Sequence, residues 1–227
     1  MGRYADREAP MQKEFVACEM CKASVRVCNI ALHMAKAHGM AMIDGEKLAV
    51  DAKNPSEEDR RRLSRLYLER GLALNGEKKH KEAVAFFQKA LEYDERSVPA
   101  CLSLAVSLET MRQYSKTEEV LGKALAIEPS NEEAMLMMAD YLRFHGKSGE
   151  AVSLLSRMKE PANIGKKYEK LAYVLMQDGQ LGEAKRKLAA AWPELRQQFE
   201  SGHVERDLYL RLGSILFTLF AADHGEI

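Results

Sequence analysis

"GLALNGEKKHKEAVAFFQKALEYDE" spans residues 71–95, and "AVSLETMRQYSKTEEVLGKALAIEP" spans residues 105–129. Laid one on the other, Lys89, Ala90 and Leu91 fall on Lys123, Ala124 and Leu125 at a shift of 34. A fixed shift of this size is the signature of a repeat architecture. It extends along the chain. Gly71, Ala105, Ala139 and Ala172 recur at shifts of 34, 34 and 33, and so do Ala83, Thr117, Ala151 and Ala184. Small residues at two fixed places in each unit imply two antiparallel helices that approach closely there. Ala90, Ala124 and Ala191 hold a third small position, where the third unit has Met158. Gly146, Gly149 and Gly179 read as turn signals between helices, and Pro129 closes the second unit.

These residues resemble a tetratricopeptide repeat (TPR) array of four units, starting near Ser64, Val98, Glu132 and Gly165 and covering roughly 64–198. The resemblance implies an all-α helical solenoid of four helix-turn-helix repeats. Ser56 with Asp59 three residues later predicts a capping box ahead of the first helix. The last repeat's second helix reads through "AAAWPELRQQF", with Pro193 expected to bend it. "VERDLYLRLGSILFTLFAA" then predicts one more amphipathic helix, a cap over the last repeat's apolar face.

Upstream lies "CEMCKASVRVCNIALHMAKAH", residues 18–38. Cys18 and Cys21 are two residues apart, eleven residues follow to His33, and four more precede His38. Two thiolates on a tight knuckle and two imidazoles one helical turn apart can close a tetrahedron around zinc. Over about residues 15–39 the stretch resembles a C2H2 zinc finger, which implies a small ββα unit with Phe15, Val25 and Ile30 as its apolar support. Val25 stands where that family usually has an aromatic. One structural Zn2+ is expected, held by Cys18, Cys21, His33 and His38, with Cys28 as a bystander. So small a unit takes much of its folding energy from the metal. The expected organisation is therefore a finger over 1–50, a linker and helix lead-in over 51–63, and the array with its capping helix over 64–227. Between finger and array, Asp44-Gly45 either turns a short hairpin or belongs to an ordered linker.

Composition narrows the function. The chain has 227 residues, 34 Lys and Arg against 34 Asp and Glu, and 46% hydrophobic residues, which suits one or two ordinary domains with a core. No apolar run approaches the roughly 18 residues of a membrane span, and the first residues carry no apolar signal segment. Three of the four cysteines cluster near the N-terminus, which favours a metal site in a reducing compartment, cytoplasmic or, in a eukaryote, also nuclear. No phosphate-cradling glycine loop, nucleophile elbow or paired-carboxylate spacing is present, so neither an enzyme nor a small-molecule substrate is expected.

Two functional readings follow. In the first, the chain is a protein-interaction scaffold. The TPR resemblance turns the fifth and ninth positions of each repeat toward a groove: Leu68, Leu102, Leu136 and Glu169, then Leu72, Val106, Asp140 and Tyr173, with Lys170 beside them. These sites are apolar where carboxylate-gripping members of the family have Lys, Asn and Arg. An apolar strip of Leu68, Leu72, Leu102, Val106 and Leu136 would be covered by a partner's helix or extended peptide, by the chain's own N-terminal segment, or by packing between adjacent first helices. In the second reading the finger touches nucleic acid. Arg26, Asn29 and Leu32 fall at the base-reading positions of its helix, and Arg26 and Asn29 can read G and A. A local excess of about two positive charges is small for a phosphate-binding surface, so this reading ranks behind the first.

Overall fold

The computed structural model describes the backbone of residues 15–17, 24–26, 40–43 and 46–51, and residues 55–158, 162 and 164–223. Two short antiparallel strand pairs come first. β1 (Phe15–Ala17) pairs with β2 (Ser24–Arg26), placing Val16 opposite Val25. β3 (Met40–Ile43) pairs with β4 (Glu46–Asp51), placing Ile43 opposite Glu46 on either side of Asp44-Gly45. The expected finger helix and all four expected zinc ligands, Cys18, Cys21, His33 and His38, lie outside the described residues.

The rest is helical. Among the described residues nine helices follow in order: α1 (Glu57–Gly76), α2 (His80–Tyr93), α3 (Val98–Thr110), α4 (Tyr114–Ile127), α5 (Glu132–Phe144), α6 (Ser148–Ser156), α7 (Ile164–Gln177), α8 (Leu181–Glu200) and α9 (Arg206–Asp223). They pack as four helix hairpins, and each hairpin packs on the next through its first helix and the preceding second helix. First helices also touch directly, α1 with α3 and α5 with α7. This is the helical solenoid that the 34-residue shift predicts.

The period has a backbone cause. Two residues past the end of each first helix the backbone is left-handed: Lys78 (φ 62°), Arg112 (φ 57°), Gly146 (φ 72°) and Gly179 (φ 72°). The next N–H reaches back five residues to a leucine carbonyl, with Lys79 to Leu74 at 2.9 Å, Gln113 to Leu108 at 2.9 Å, Lys147 to Leu142 at 2.8 Å and Gln180 to Leu175 at 2.8 Å. This is the hydrogen-bond pattern of a Schellman turn, used after all four first helices and again at Gly202 after α8. All four leucines are buried, so one residue type serves both the turn and the core. Gly149, expected in the turn, instead lies exposed near the start of α6.

The small-residue positions sit where the helices cross. Ala83, Thr117, Ala151 and Ala184 are fully buried, and the Thr117 hydroxyl donates to the Gln113 carbonyl at 3.2 Å, so it is satisfied inside the core. Gly71 faces the buried ring of Phe87, whereas Ala105, Ala139 and Ala172 occupy the same repeat position with Leu121, Leu155 and Leu188 sixteen residues on. Met158 breaks the third small-residue row because α6 ends at Ser156, before the position where its neighbours still cross. As read from the sequence, α8 runs through Pro193, to Glu200.

At the start, Ser56 caps α1. Its Oγ accepts from the Asp59 N–H at 3.2 Å and donates to the Asp59 carboxylate at 2.7 Å. At the end, α9 packs on α7 and α8. Leu208, Leu212, Ile215 and Leu219 are its buried face. Leu208 closes against Gly165, where a Cβ would come within 2.8 Å, and Gly213 lies under the Trp192 ring. Tyr209 stacks between Trp192 (4.9 Å between ring centroids) and Phe199 (4.3 Å).

Candidate partner-binding face

The first helices α1, α3, α5 and α7 lie side by side, so equivalent positions on them form rows running along the solenoid. The two rows singled out from the sequence behave differently. Of the fifth positions, Leu102 and Leu136 are 8% and 6% exposed and belong to the main core, while Leu68 is half-buried against the α1–α4 cluster. Their repetition at the period is core packing, the third of the three coverings set out above. The continuous five-residue strip is thereby reduced to its outer members. Of the ninth positions, Leu72 (49%), Val106 (42%) and Tyr173 (41%) are the large apolar side chains that reach solvent.

The charged members of the rows are held by one another. Asp140 on α5 pairs with Lys170 on α7 and lies 3.9 Å from the Arg143 Nε one turn along. Glu169 on α7 accepts from Arg211 on α9 at 2.8 Å. These pairs tie the third repeat to the fourth and the fourth to the cap. Their surface exposure limits each to a modest stabilising effect. Asp140, Lys170 and Glu169 therefore present paired rather than free charges on this face.

Phe144 is the residue that the sequence reading missed. It is 65% exposed, one helical turn beyond Asp140, at the last position of α5. The guanidinium of Arg143 lies 4.0 Å from its ring centroid and donates to the Gln177 Oε1 at 3.3 Å. The ring is thus held outward by a cation over its face. Following the row one turn past the ninth position would have found it, since the equivalents Gly76, Thr110 and Gln177 leave Phe144 as the lone aromatic there.

A second polar cluster has a structural role. Glu118 on α4 accepts from Tyr141 Oη (3.0 Å) and Lys147 Nζ (2.6 Å), which hold its carboxyl below the usual carboxylate range, the lysine contributing most. Burial, with Glu118 beside it, pushes the Tyr141 hydroxyl up. His145 stacks on Tyr141 at 4.1 Å, and its Nδ1 donates to the Tyr141 carbonyl at 2.7 Å. The cluster braces α4 against the α5–α6 turn. Among the described residues no group of three or more His, Cys, Asp or Glu is placed to hold a metal ion. Of the two candidate base-reading residues, Arg26 is described only as backbone in β2, and Asn29 lies outside the described residues.

Comparisons with known proteins agree with this geometry. Residues 64–97 match the tetratricopeptide repeat family model, in the same frame as the first unit defined by the shift. No curated protein matches the chain in sequence. A kinesin light chain with nearly identical TPR-like repeats from Podosopora anserina superposes with a TM-score of 0.57 at 18% identity, over 74% of this chain and 90% of that one. PilF of Pseudomonas aeruginosa gives 0.54 at 20% identity, over 70% and 77%. YrrB, a TPR protein with an unusual peptide-binding site, gives 0.50 at 19% identity, over 68% and 84%. At these identities the likeness is one of fold: the array has the fold of a TPR solenoid. No helix among the described residues is long and apolar enough to cross a membrane.

Proposed function

We propose that the chain is a non-enzymatic scaffold that binds a protein partner, as a helix or an extended peptide, across the face of its first helices. The observation that carries this reading is the row of solvent-reaching Leu72, Val106, Phe144 and Tyr173 on a TPR solenoid whose neighbouring charges are already paired. Exposed large apolar side chains gathered on one face, here three at the ninth repeat position and Phe144 one turn beyond it, are a common mark of an interaction site. That a fold neighbour, YrrB, has a peptide-binding site supports the choice of a peptide-like occupant. Leu102 and Leu136 lie beneath the row and fix its spacing. Cys18, Cys21, His33 and His38 hold one structural zinc in this reading, and the N-terminal unit they fold adds no catalytic chemistry.

The test is a peptide-display selection on the purified chain, with enriched peptides then measured against the double variant Leu72→Glu/Tyr173→Glu. Both side chains stand in solvent, so the variant keeps its helicity. Enriched peptides should bind it at least tenfold more weakly, because a buried unpaired carboxylate is costly. Peptides that bind parent and variant equally would place the site elsewhere on the molecule.

A further inference from the structure

Asp140 is one carboxylate between two cations. Its Oδ2 accepts from Lys170 on α7, and its Oδ1 lies 3.9 Å from the Arg143 Nε, beyond hydrogen-bond reach. That Nε is buried and has no hydrogen-bond partner. Nη1 makes one long bond, 3.3 Å to the Gln177 Oε1, and among the described residues no acceptor bonds Nη2. No other carboxylate nearby completes the set. Glu169 is taken by Arg211, while exposed Glu109 on α3 and Glu133 at the far end of α5 make no ion pair with Arg143. Two cations thus share one carboxylate, and the cluster carries one positive charge in excess. Arginine cannot shed that charge. Its guanidinium is held in place by Phe144, whose ring centroid lies 4.0 Å from Cζ. A ring under the guanidinium uses up none of its N–H donors. Through Gln177, four residues beyond Tyr173, the guanidinium bridges α5 to α7 one turn from the other exposed ring of the face.

We propose that Arg143 is the residue that selects the partner: it takes the side-chain carboxylate of an aspartate or glutamate in the bound segment, with an apolar neighbour of that residue seated against Phe144 and Tyr173. This rests on the reading of the face as a partner site and names the chemistry of what it holds. The two oxygens of a carboxylate match the forked donors of a guanidinium, and bonds between charged partners are about twice as strong as neutral ones. A carboxylate also removes the excess charge that Asp140 leaves, which a carbonyl or hydroxyl of the segment does not. A lysine or arginine placed there meets like charge and is rejected. The apolar residues give the segment its hold and the arginine fixes its sequence. The acidic residue also fixes where the segment lies, over the junction of the third and fourth repeats, with the rest running toward Val106 and Leu72.

Selection of displayed random peptides on the purified full chain tests the proposal, with enriched peptides then synthesised with amidated C-termini so that only side chains supply carboxylates. These peptides should carry Asp or Glu beside a large apolar residue. Changing that acid to its amide should weaken binding to the parent by about tenfold or more, and to Arg143→Gln by less than about twofold, because the group it paired with is gone. Arg143→Lys keeps the charge without the fork and should fall between the two. Both variants leave the Asp140–Lys170 pair in place, and helicity by circular dichroism should hold. Acid and amide peptides that bind the parent equally overturn the proposal. So does an acid whose loss costs as much in Arg143→Gln as in the parent, since another cation then reads it. The reading of the face is tested apart from this by Leu72→Ala/Tyr173→Ala, which removes apolar surface and adds no charge. Peptides weakened by that variant but indifferent to the acid leave a partner site without Arg143 as its selector. Peptides that bind it as tightly as the parent, or a selection that enriches none, overturn both.

Discussion

Gly71 is where the packing of the first repeat can be tested most sharply. A Cβ built there would lie 2.4 Å, 2.6 Å and 3.0 Å from the Cε1, Cδ1 and Cζ atoms of Phe87, a ring with no exposed surface. The ring is rigid and enclosed, so it cannot swing away as the end of a long side chain would. Overpacking a filled core costs about 1–3 kcal/mol, and contacts this short belong at the upper end. Alanine offsets about 1 kcal/mol of that through its better helix propensity. The net expectation for Gly71→Ala is a loss of about 2 kcal/mol, a fall of roughly 4–8 °C in melting temperature for a domain of this size. Phe87→Leu alone leaves a small cavity and costs about 1 kcal/mol. The double variant should return to within about 1 kcal/mol of the parent, because Ala with Leu is the combination found at 105 and 121, 139 and 155, and 172 and 188. The coupling energy of the cycle, read from thermal and urea melts, should be about 2 kcal/mol or more. A Gly71→Ala variant that melts with the parent, or two changes that simply add, would refute the reasoning that ring and glycine were chosen for each other.

Lys78 and Arg112 hold left-handed backbones that Gly146 and Gly179 adopt without strain. Lys78→Gly and Arg112→Gly should each stabilise the chain by about 0.5–1 kcal/mol in thermal melts, while Lys78→Ala should not. Leu102→Glu should lose helicity on circular dichroism or aggregate, since it buries a carboxylate in the core, whereas Leu72→Glu should leave the spectrum unchanged; equal behaviour of the two would contradict the assignment of inner and outer rows. Metal analysis of purified protein should find about one equivalent of zinc, lost in Cys21→Ser and retained in Cys28→Ser, with the helical signal of the array intact in both. Zinc at parental levels in Cys21→Ser would discard the proposed ligand set.

The period was legible because one geometric need recurs. Two helices cross at the same places in every repeat, and only a small residue fits, so Gly71, Ala105, Ala139 and Ala172 mark the crossing without any tertiary knowledge. The turns were legible only in part, for a physical reason. The left-handed position is strained for most residues but not forbidden, so two repeats advertise it with glycine and two hide it under Lys78 and Arg112. Gly149 misled for the converse reason: glycine is permitted wherever a helix start tolerates it. The inner and outer rows of the first helices were not separable from the sequence at all. Leu72 and Leu102 are the same residue on the same kind of helix, one 49% exposed and the other 8%, and what distinguishes them is four residues of helical rotation relative to the neighbouring hairpin. A recurring leucine therefore reports the repeat, and its depth has to come from the packing. The same logic explains why α9 could be foreseen as a cap while the side chains on its outer face could not. Its apolar residues exceed what one buried face can use, and which of them are surplus is settled only when Leu208, Leu212, Ile215 and Leu219 turn inward and leave Leu210 and Phe217 facing out.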